Sequence, residues 1–533
     1  MSSVRTWRPL IMGNAAVATN HPAATQAGLD VLKSGGNAVD AAFTVSLCLG
    51  VAEPFMSGIG GDGFYHIHDG QGYVYEGVGC APLAARTDTY PMGIPDNGPM
   101  SISAPGSIAG LFAMHTRHGR KSVKELAEPA IQLARRGVPV GHTYRRSAKT
   151  DAWRFATQGS ASSTYLLNGT VPDIGSRVAN PRLAETLEAL AEEGPESFYR
   201  GRLARVIAQD LQALGSLVTP EDLAAVESCT REPIKGHYRG YEILQTPSVS
   251  TGFTLLQQLA MLDLCDLAAA RNDPATLIHL MVEIKKLAFL DRERFSGDPR
   301  YVDLDLGHLL DQNRLAKLVS QIDMNVAADL PIAEPEKTTE TTYFCVADRE
   351  GQVVSAIQSL NATFGSGVML PQTGILMNNR MCCWHLTSGH PNALVAGKKV
   401  RHTMNAPILL RDGKVRAVLG TPGADNQVQV NFQAIVALID LGLDPQTVAE
   451  APRWSSDQCG QSANWPHGGQ NTLTVENQMP EEVKAGIKSR GHNLKTVGTL
   501  EGPCSLEIIK IQEDGLKIAA SDPRRDGWAA AFD

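Results

Sequence analysis

The sequence predicts an α+β protein built from packed layers of helix and strand. Three observations carry that expectation. Apolar residues recur three to four apart between Ser122 and about Leu330, strands dominate from Thr341 onward, and the proline-bearing segment LPIAEPEK separates the two blocks. At 533 residues the chain is long enough for two to four domains or one large one.

Two early segments read as helices. HPAATQAGLDVLKSGG places Ala27, Val31 and Leu32 at helical spacing and stops at Gly35-Gly36. Asn37 then caps a second run, Ala38 to Val51, which is apolar nearly all round and is expected to be buried. MSGIGGDGF follows, with glycines at 58, 60, 61 and 63. That density implies unusual backbone conformations or close approach of chain to chain or ligand. It is poor support for a nucleotide loop, because it follows a buried helix rather than a strand. FYHIHDGQGYVYEGV alternates and turns at Asp69-Gly70, so it reads as a hairpin. His66 and His68 share one face of it, expected to be a solvated face rather than a metal pair.

SVKELAEPAIQLARRG, NPRLAETLEALAEEG and ATLIHLMVEIKKLAFLDRERF then read as helices whose charges form solvated faces. Beyond LPIAEPEK, TTYFCVA alternates Thr342, Phe344 and Val346 against Tyr343, Cys345 and Ala347. DREG turns the chain, and QVVSAIQS returns as the second strand of a hairpin. KVRAVLG is a further strand, broken at TPGADN and followed by the helical run QVQVNFQAIVALIDLG. That unit leaves backbone N–H groups free at Gly423, Ala424 and the helix start, a place for negative charge.

Composition is that of a globular protein, 43% hydrophobic and 20% charged, and a net charge of -8 argues against nucleic-acid binding. No run of about 18 uncharged apolar residues occurs, so no membrane span is expected. The first residues lack the apolar core of a signal peptide. Nine cysteines without framework spacing suit a reducing compartment, and cytoplasmic is the expectation.

Four threonines, at 338, 339, 341 and 342, stand at the mouth of the strand after the linker. A threonine hydroxyl is a poor nucleophile until something removes its proton. No G-x-S-x-G elbow, H-E-x-x-H helix or C-x-x-C pair is present. Cutting the chain just before a threonine supplies a base on the same residue, an α-amine whose pKa of about 7.7–8.0 leaves a neutral fraction at physiological pH.

TTYFCVAD, NATFGSG, GILMNN, HTMNAPILLRDGK, TPGADNQV and SDPRRDG resemble the γ-glutamyltranspeptidase family of N-terminal-nucleophile hydrolases. GGNAVDAA, GIGGDGF, APGSIAG and GHYRGYEI extend the resemblance through the first half, in one order. The resemblance implies a four-layer αββα sandwich and a precursor that cuts itself between Glu340 and Thr341. Residues 1–340 then form a large subunit and 341–533 a small one, intertwined in a single domain. It implies that Thr341 is nucleophile and base, that Ser359 holds the nucleophile, that the N–H groups of Gly423 and Ala424 form the oxyanion hole, and that Asn361 contacts substrate. No metal or organic cofactor is expected. A dimer of such heterodimers is left open.

The pocket departs from the family's pattern. The arginine that grips the α-carboxylate of a γ-glutamyl group is replaced by Val78. The aspartate that holds its α-amine is Cys383, and the glutamine three residues earlier is Arg380. The paired serines are His402 and Thr403. An ammonium facing a cysteine and an arginine loses its ion pair, at a cost of several kcal/mol in a partly dry pocket. Arg380 offers instead a forked donor suited to a carboxylate with no adjacent amine; a salt bridge to a neighbouring acid is its competing reading. His402 is equally readable as a ligand contact or an ordinary histidine. Cys382-Cys383 lacks metal-ligand spacing.

The expected partner is thus a small carboxylate-bearing amide, and the pattern resembles family members that hydrolyse oxamate. The alternatives are a γ-glutamyltransferase or glutathione hydrolase, a cephalosporin-type acylase, and an uncleaved binding homologue.

Overall fold

The computed structural model describes residues 6–155, 159–268, 270–329 and 340–533. LPIAEPEK, Thr338 and Thr339 lie outside the described residues.

Two seven-stranded antiparallel sheets form the centre. One runs in the order Trp528–Phe532, Ala15–Thr19, Glu340–Ala347, Val353–Asn361, Asp62–His68, Gly72–Gly77, Cys229–Arg231. The other runs Ile11–Gly13, Lys517–Ser521, Glu507–Ile511, Lys414–Gly420, Ile408–Arg411, Tyr241–Gln245, Ile234–Tyr238. Three apolar cores separate four layers. Tyr343, Cys345, Ile357, Val418 and Ile509 fill the space between the sheets. Phe344, Val346 and Val354 face helices that include Ala38–Ala52. Leu419 and Ile508 face the helices Phe253–Asp263, Pro274–Phe295 and Asn426–Ile439 on the far side. The result is the αββα sandwich. The alternation expected in TTYFCVA decides it, because odd and even residues of one strand serve different cores. Each fully buried side chain such as Phe344 contributes about 1.5–3 kcal/mol.

Local chemistry starts the elements where the sequence places them. Asn37 accepts the N–H of Asp40, and the Asp40 carboxylate accepts the N–H of Asn37, a reciprocal cap for the helix Ala38–Ala52. That helix is buried nearly all round.

The region from Ser122 to Leu330 is mainly helical, and within it Cys229–Arg231, Ile234–Tyr238 and Tyr241–Gln245 add strands at one end of each sheet. The structure corrects two expectations. His66 and His68 are buried rather than solvated. The face of the hairpin they share turns toward the second sheet, where His66 Nδ1 meets the carbonyl of Ala406 at 2.8 Å, and burial pulls His66 down to about 4. Of the charges on the helix Pro274–Phe295, only Arg294 is exposed. Glu283, Lys285, Lys286, Asp291 and Arg292 are all buried. Glu283 pairs with Lys286 at 2.7 Å, Asp291 with Arg314 at 2.5 Å, and Arg292 with Glu293 and Asp425.

Candidate active site

Thr341 is the second residue of the strand Glu340–Ala347. Pairing with Val353–Asn361 sets Glu340 opposite Asn361 and Thr342 opposite Gln358, so the register slips at Thr341. A slip of this kind takes a side chain out of regular alternation and re-aims it. The Thr341 hydroxyl then donates to Ser359 Oγ at 3.3 Å, and Ser359 Oγ accepts the N–H of Asn361 at 2.7 Å.

Thr342 is placed differently. Its hydroxyl donates to Glu53 Oε2 at 2.8 Å and accepts from Asn20 Nδ2 at 3.0 Å, and Asn20 Oδ1 in turn accepts from Ser505 at 2.6 Å. The neighbouring hydroxyl is thus committed to structure, and Thr341 is the one turned toward Ser359.

The glycine-rich stretch explains itself here. A Cβ on Gly61 would collide with the Ser359 carbonyl, and one on Gly60 with the Leu376 carbonyl. Between these contacts and the hairpin lies Asp62. Its Oδ1 accepts the N–H groups of Gly79 at 3.0 Å and Gly106 at 3.2 Å, while Oδ2 faces Arg380 Nε at 3.3 Å and His402 Nε2 at 3.6 Å. Burial pushes the Asp62 carboxyl up, with Arg380 pulling the other way. The sequence reading missed Asp62. The only signal for it was the density of glycines on either side.

Arg380 lies on the turn Arg380–Cys383 and is buried. Besides Asp62 it reaches Asn361 Oδ1 through Nη1 at 3.1 Å. The guanidinium is therefore not the free fork expected from sequence, because the neighbouring-acid reading holds for one edge. Its Nε, ion-paired with Asp62, and its Nη2 are both buried with no hydrogen-bond partner among the described residues. Asn361, at φ +82°, donates from Nδ2 to Asn379 Oδ1 at 2.9 Å, so its carbonyl is locked toward Arg380. Cys383 donates to Asn464 Oδ1 at 3.0 Å and lies 3.4 Å from Asn361 Oδ1. Burial pushes the Cys383 thiol up, but Cys382 and Arg380 outweigh it and leave it below the ordinary value.

His402 is fully buried against Phe64, with neither ring nitrogen hydrogen-bonded among the described residues. Burial, then Arg380 and Lys399, hold it well below its ordinary pKa, so it is neutral. Thr403 is buried beside it. Val78, where the family pattern has arginine, fills the core between the sheets.

Gly423 and Ala424 form the turn after Lys414–Gly420, at φ +105° and +48°. A side chain at Gly420 would collide with the Tyr343 ring, and one at Gly423 with Cys504. The first contact packs Lys414–Gly420 against the strand that carries Thr341, and the second seats the turn against Cys504. Beside it lies a cavity of about 210 Å³ whose walls include Gly423, Ala424, Asn464, Lys285 and Arg525. Lys285 was read in sequence as part of a solvated face.

Among the described residues, two groups bring potential metal-ligand atoms within 4.8 Å of one another: His279, Glu283 and His492, and Glu293, His385 and His390. Their carboxylates are taken, Glu283 by Lys286 and Glu293 by Arg292 and Arg401. Neither group includes Thr341.

Comparison with known proteins gives a consistent picture. The family described as Gamma-glutamyltranspeptidase matches residues 24–532. A glutathione hydrolase-like proenzyme of Bacillus subtilis is 33% identical, over 97% of this chain and 98% of its own. An oxamate amidohydrolase proenzyme of Klebsiella pneumoniae is 32% identical, over 97% and 98%. The crystal structure of a cephalosporin acylase from Bacillus halodurans superposes with a TM-score of 0.90 at 30% identity, covering 100% of this chain and 98% of that one. Relatives named for three different substrates stand at nearly the same distance, so identity does not choose among them.

Proposed function

Because the chain belongs to the gamma-glutamyltranspeptidase family, we propose that it is an autoprocessed amidohydrolase whose N-terminal nucleophile is Thr341 and whose substrate is a small amide with a carboxylate on its acyl side. In processing, the Thr341 hydroxyl attacks the Glu340 carbonyl, and as the peptide C–N bond breaks the acyl group passes to Oγ as an ester, freeing an α-amine on Thr341. Water then hydrolyses the ester, leaving a carboxylate on Glu340 and a free Thr341 hydroxyl. In turnover that amine takes the hydroxyl proton as Oγ adds to the substrate carbonyl. The N–H groups of Gly423 and Ala424 receive the oxyanion, and loss of one such donor typically costs about 2.7–4 kcal/mol. The substrate's own amine or ammonia departs with the proton returned by the Thr341 α-ammonium, and water releases the acid from the acyl-enzyme.

The observation that carries the substrate reading is Arg380 Nη2, a buried cationic donor left without a partner in the cluster that holds Thr341. Buried donors are ordinarily satisfied, and a carboxylate is the acceptor an arginine fits best. Nη1 is already bonded to Asn361 and Nε is ion-paired with Asp62, so Nη2 is the nitrogen through which a carboxylate oxygen would be received. Neutral His402 adds a hydrogen bond without adding charge. The γ-glutamyl ammonium has no acid in place of Cys383 to meet it.

Two measurements test this. Mass spectrometry of the purified wild type is expected to find a chain beginning at Thr341, and Thr341→Ala is expected to remain one chain of 57.1 kDa. A panel of amides is expected to favour short carboxylate-bearing acyl groups over γ-glutamyl-p-nitroanilide. In that panel Arg380→Ala, checked for processing, should lose about 10- to 150-fold in kcat/KM on the favoured amides, the loss of a hydrogen bond to a charged group. Unchanged turnover in Arg380→Ala overturns the substrate reading, and an active enzyme still joined at 340–341 overturns the mechanism.

A further inference from the structure

Asp62 has no step in the chemistry above, yet three parts of the site meet at it. Its backbone lies opposite Ser359 in the pairing of Asp62–His68 with Val353–Asn361, beside the residue that receives the Thr341 hydroxyl. The segment just before it holds the turn that carries Arg380. There the Gly60 carbonyl accepts from Asn378 N at 3.1 Å and Nδ2 at 2.9 Å, and Asn378 Oδ1 accepts the N–H of Arg380 at 2.9 Å. The Asp62 carboxylate itself is fixed through Oδ1, which takes the N–H groups of Gly79 and Gly106. A backbone frame thus presents Oδ2 to the Arg380 guanidinium.

Among the described residues Asp62 is the one acid in ion-pair contact with Arg380, and the two are 0% and 3% exposed. His402, the other neighbour of Oδ2, is neutral. Asn361 and the Cys383 thiol, which lies 3.9 Å from Nη1, offer Arg380 dipoles rather than a full charge. Asp62 therefore supplies the charge balance of the pocket. It also supplies geometry. A planar guanidinium with Nε against Asp62 and Nη1 against Asn361 is fixed along two edges, which sets the direction of Nη2. A buried cation without its acid attracts any anion strongly, and the acid beside it damps that attraction.

Resting on the reading of Arg380 as the carboxylate contact, we propose that Asp62 is a positioning residue, which aligns Arg380 relative to Thr341 and offsets its charge so that simple anions do not fill the pocket. Substrates are then selected by alignment as well as by charge. Loss of the Asp62 charge has opposite consequences for the two. Anions bind more tightly, and the bound amide is turned over more slowly. A side chain that only supports the fold does not separate binding from turnover in this way.

The test is Asp62→Asn, in which the amide oxygen still accepts the Gly79 and Gly106 N–H groups while the charge is gone. Acetate binding is measured by calorimetry, and turnover with oxamate and succinamate, after mass spectrometry has checked for a chain beginning at Thr341. The variant is expected to bind acetate at least about tenfold more tightly than wild type, the effect of deleting one nearby charge. It should lose about 10- to 100-fold in kcat through misalignment, with KM unchanged or lower. Both effects should vanish when Asp62→Asn is added to Arg380→Met, because the carboxylate acts through the guanidinium. Unchanged acetate affinity in Asp62→Asn, or a full effect in the Arg380→Met background, overturns the inference and leaves the Arg380 reading to its own test. If Asp62→Asn does not fold but the double variant does, the pairing is supported; if neither folds, Asp62 is a structural residue and the inference is overturned. A wild type that neither binds acetate nor cleaves either amide overturns the inference and the Arg380 reading together.

Discussion

Thr341 and Thr342 are chemically the same, and what separates them is the company each hydroxyl keeps. Glu53 and Asn20 hold Thr342, while the register slip turns Thr341 to Ser359. In the proposed mechanism Ser359 is a positioning residue, acting through the hydroxyl it receives. Ser359→Ala is expected to lower kcat by about 5- to 150-fold, from about 1–3 kcal/mol for one hydrogen bond of this kind, with little change in KM. Ser359→Thr keeps the hydroxyl and should restore most of the loss. Steady-state kinetics on both variants checks this, and a change confined to KM would contradict the role. Ser359, Asn361 and the Gly423 turn were named from the family resemblance, and the structure brings Ser359 to Thr341. Asp62 was not, because a lone aspartate among glycines has no periodicity or spacing to mark it, and its partner Arg380 stands more than three hundred residues away.

Among the elements, the helix Pro274–Phe295 departs furthest from its pattern. Its apolar spacing predicts a helix correctly, but its charges face inward because the loop 456–469 and the helix Asn426–Ile439 close over it. Glu293 shows the electrostatic consequence. Burial pushes its carboxyl up, but Arg401 and Arg292 outweigh burial and hold it well below the ordinary value. A carboxyl depressed in the folded state contributes stability that is fully present above its unfolded pKa, about 4.3, and lost as pH falls through the folded value. Urea midpoints measured between pH 7 and pH 3 are therefore expected to drop on the acid side. Glu293→Gln should lower the neutral plateau and flatten that drop. An equally steep acid limb in the variant would show that other carboxylates govern it.

For the whole molecule, the decisive fact is that each sheet mixes strands from both sides of the 340–341 bond. Glu340–Ala347 lies between Ala15–Thr19 and Val353–Asn361, and Ile408–Arg411 pairs with Tyr241–Gln245. Scission at Glu340–Thr341 breaks one covalent bond but no strand pairing beyond the first residue. The two products are expected to elute together in gel filtration and to separate only in denaturant. Elution of a free fragment after cleavage, without denaturant, would contradict the intertwined arrangement. The αββα order of layers explains why: with three cores shared by the two segments, neither can bury its apolar faces alone.

The sequence by itself determined the hairpins, the capped helices, the strand alternation and the threonine at a strand mouth, because periodicity, capping and turn chemistry act over a few residues. Only the tertiary structure decided which of two threonines meets Ser359 and which meets Glu53, that Arg380 Nη2 is buried without a hydrogen-bond partner, and that Lys285 is buried beside a cavity. Those outcomes depend on which distant side chains meet once the sheets are stacked, and a burial or an ion pair between residues hundreds of positions apart leaves no local pattern to read.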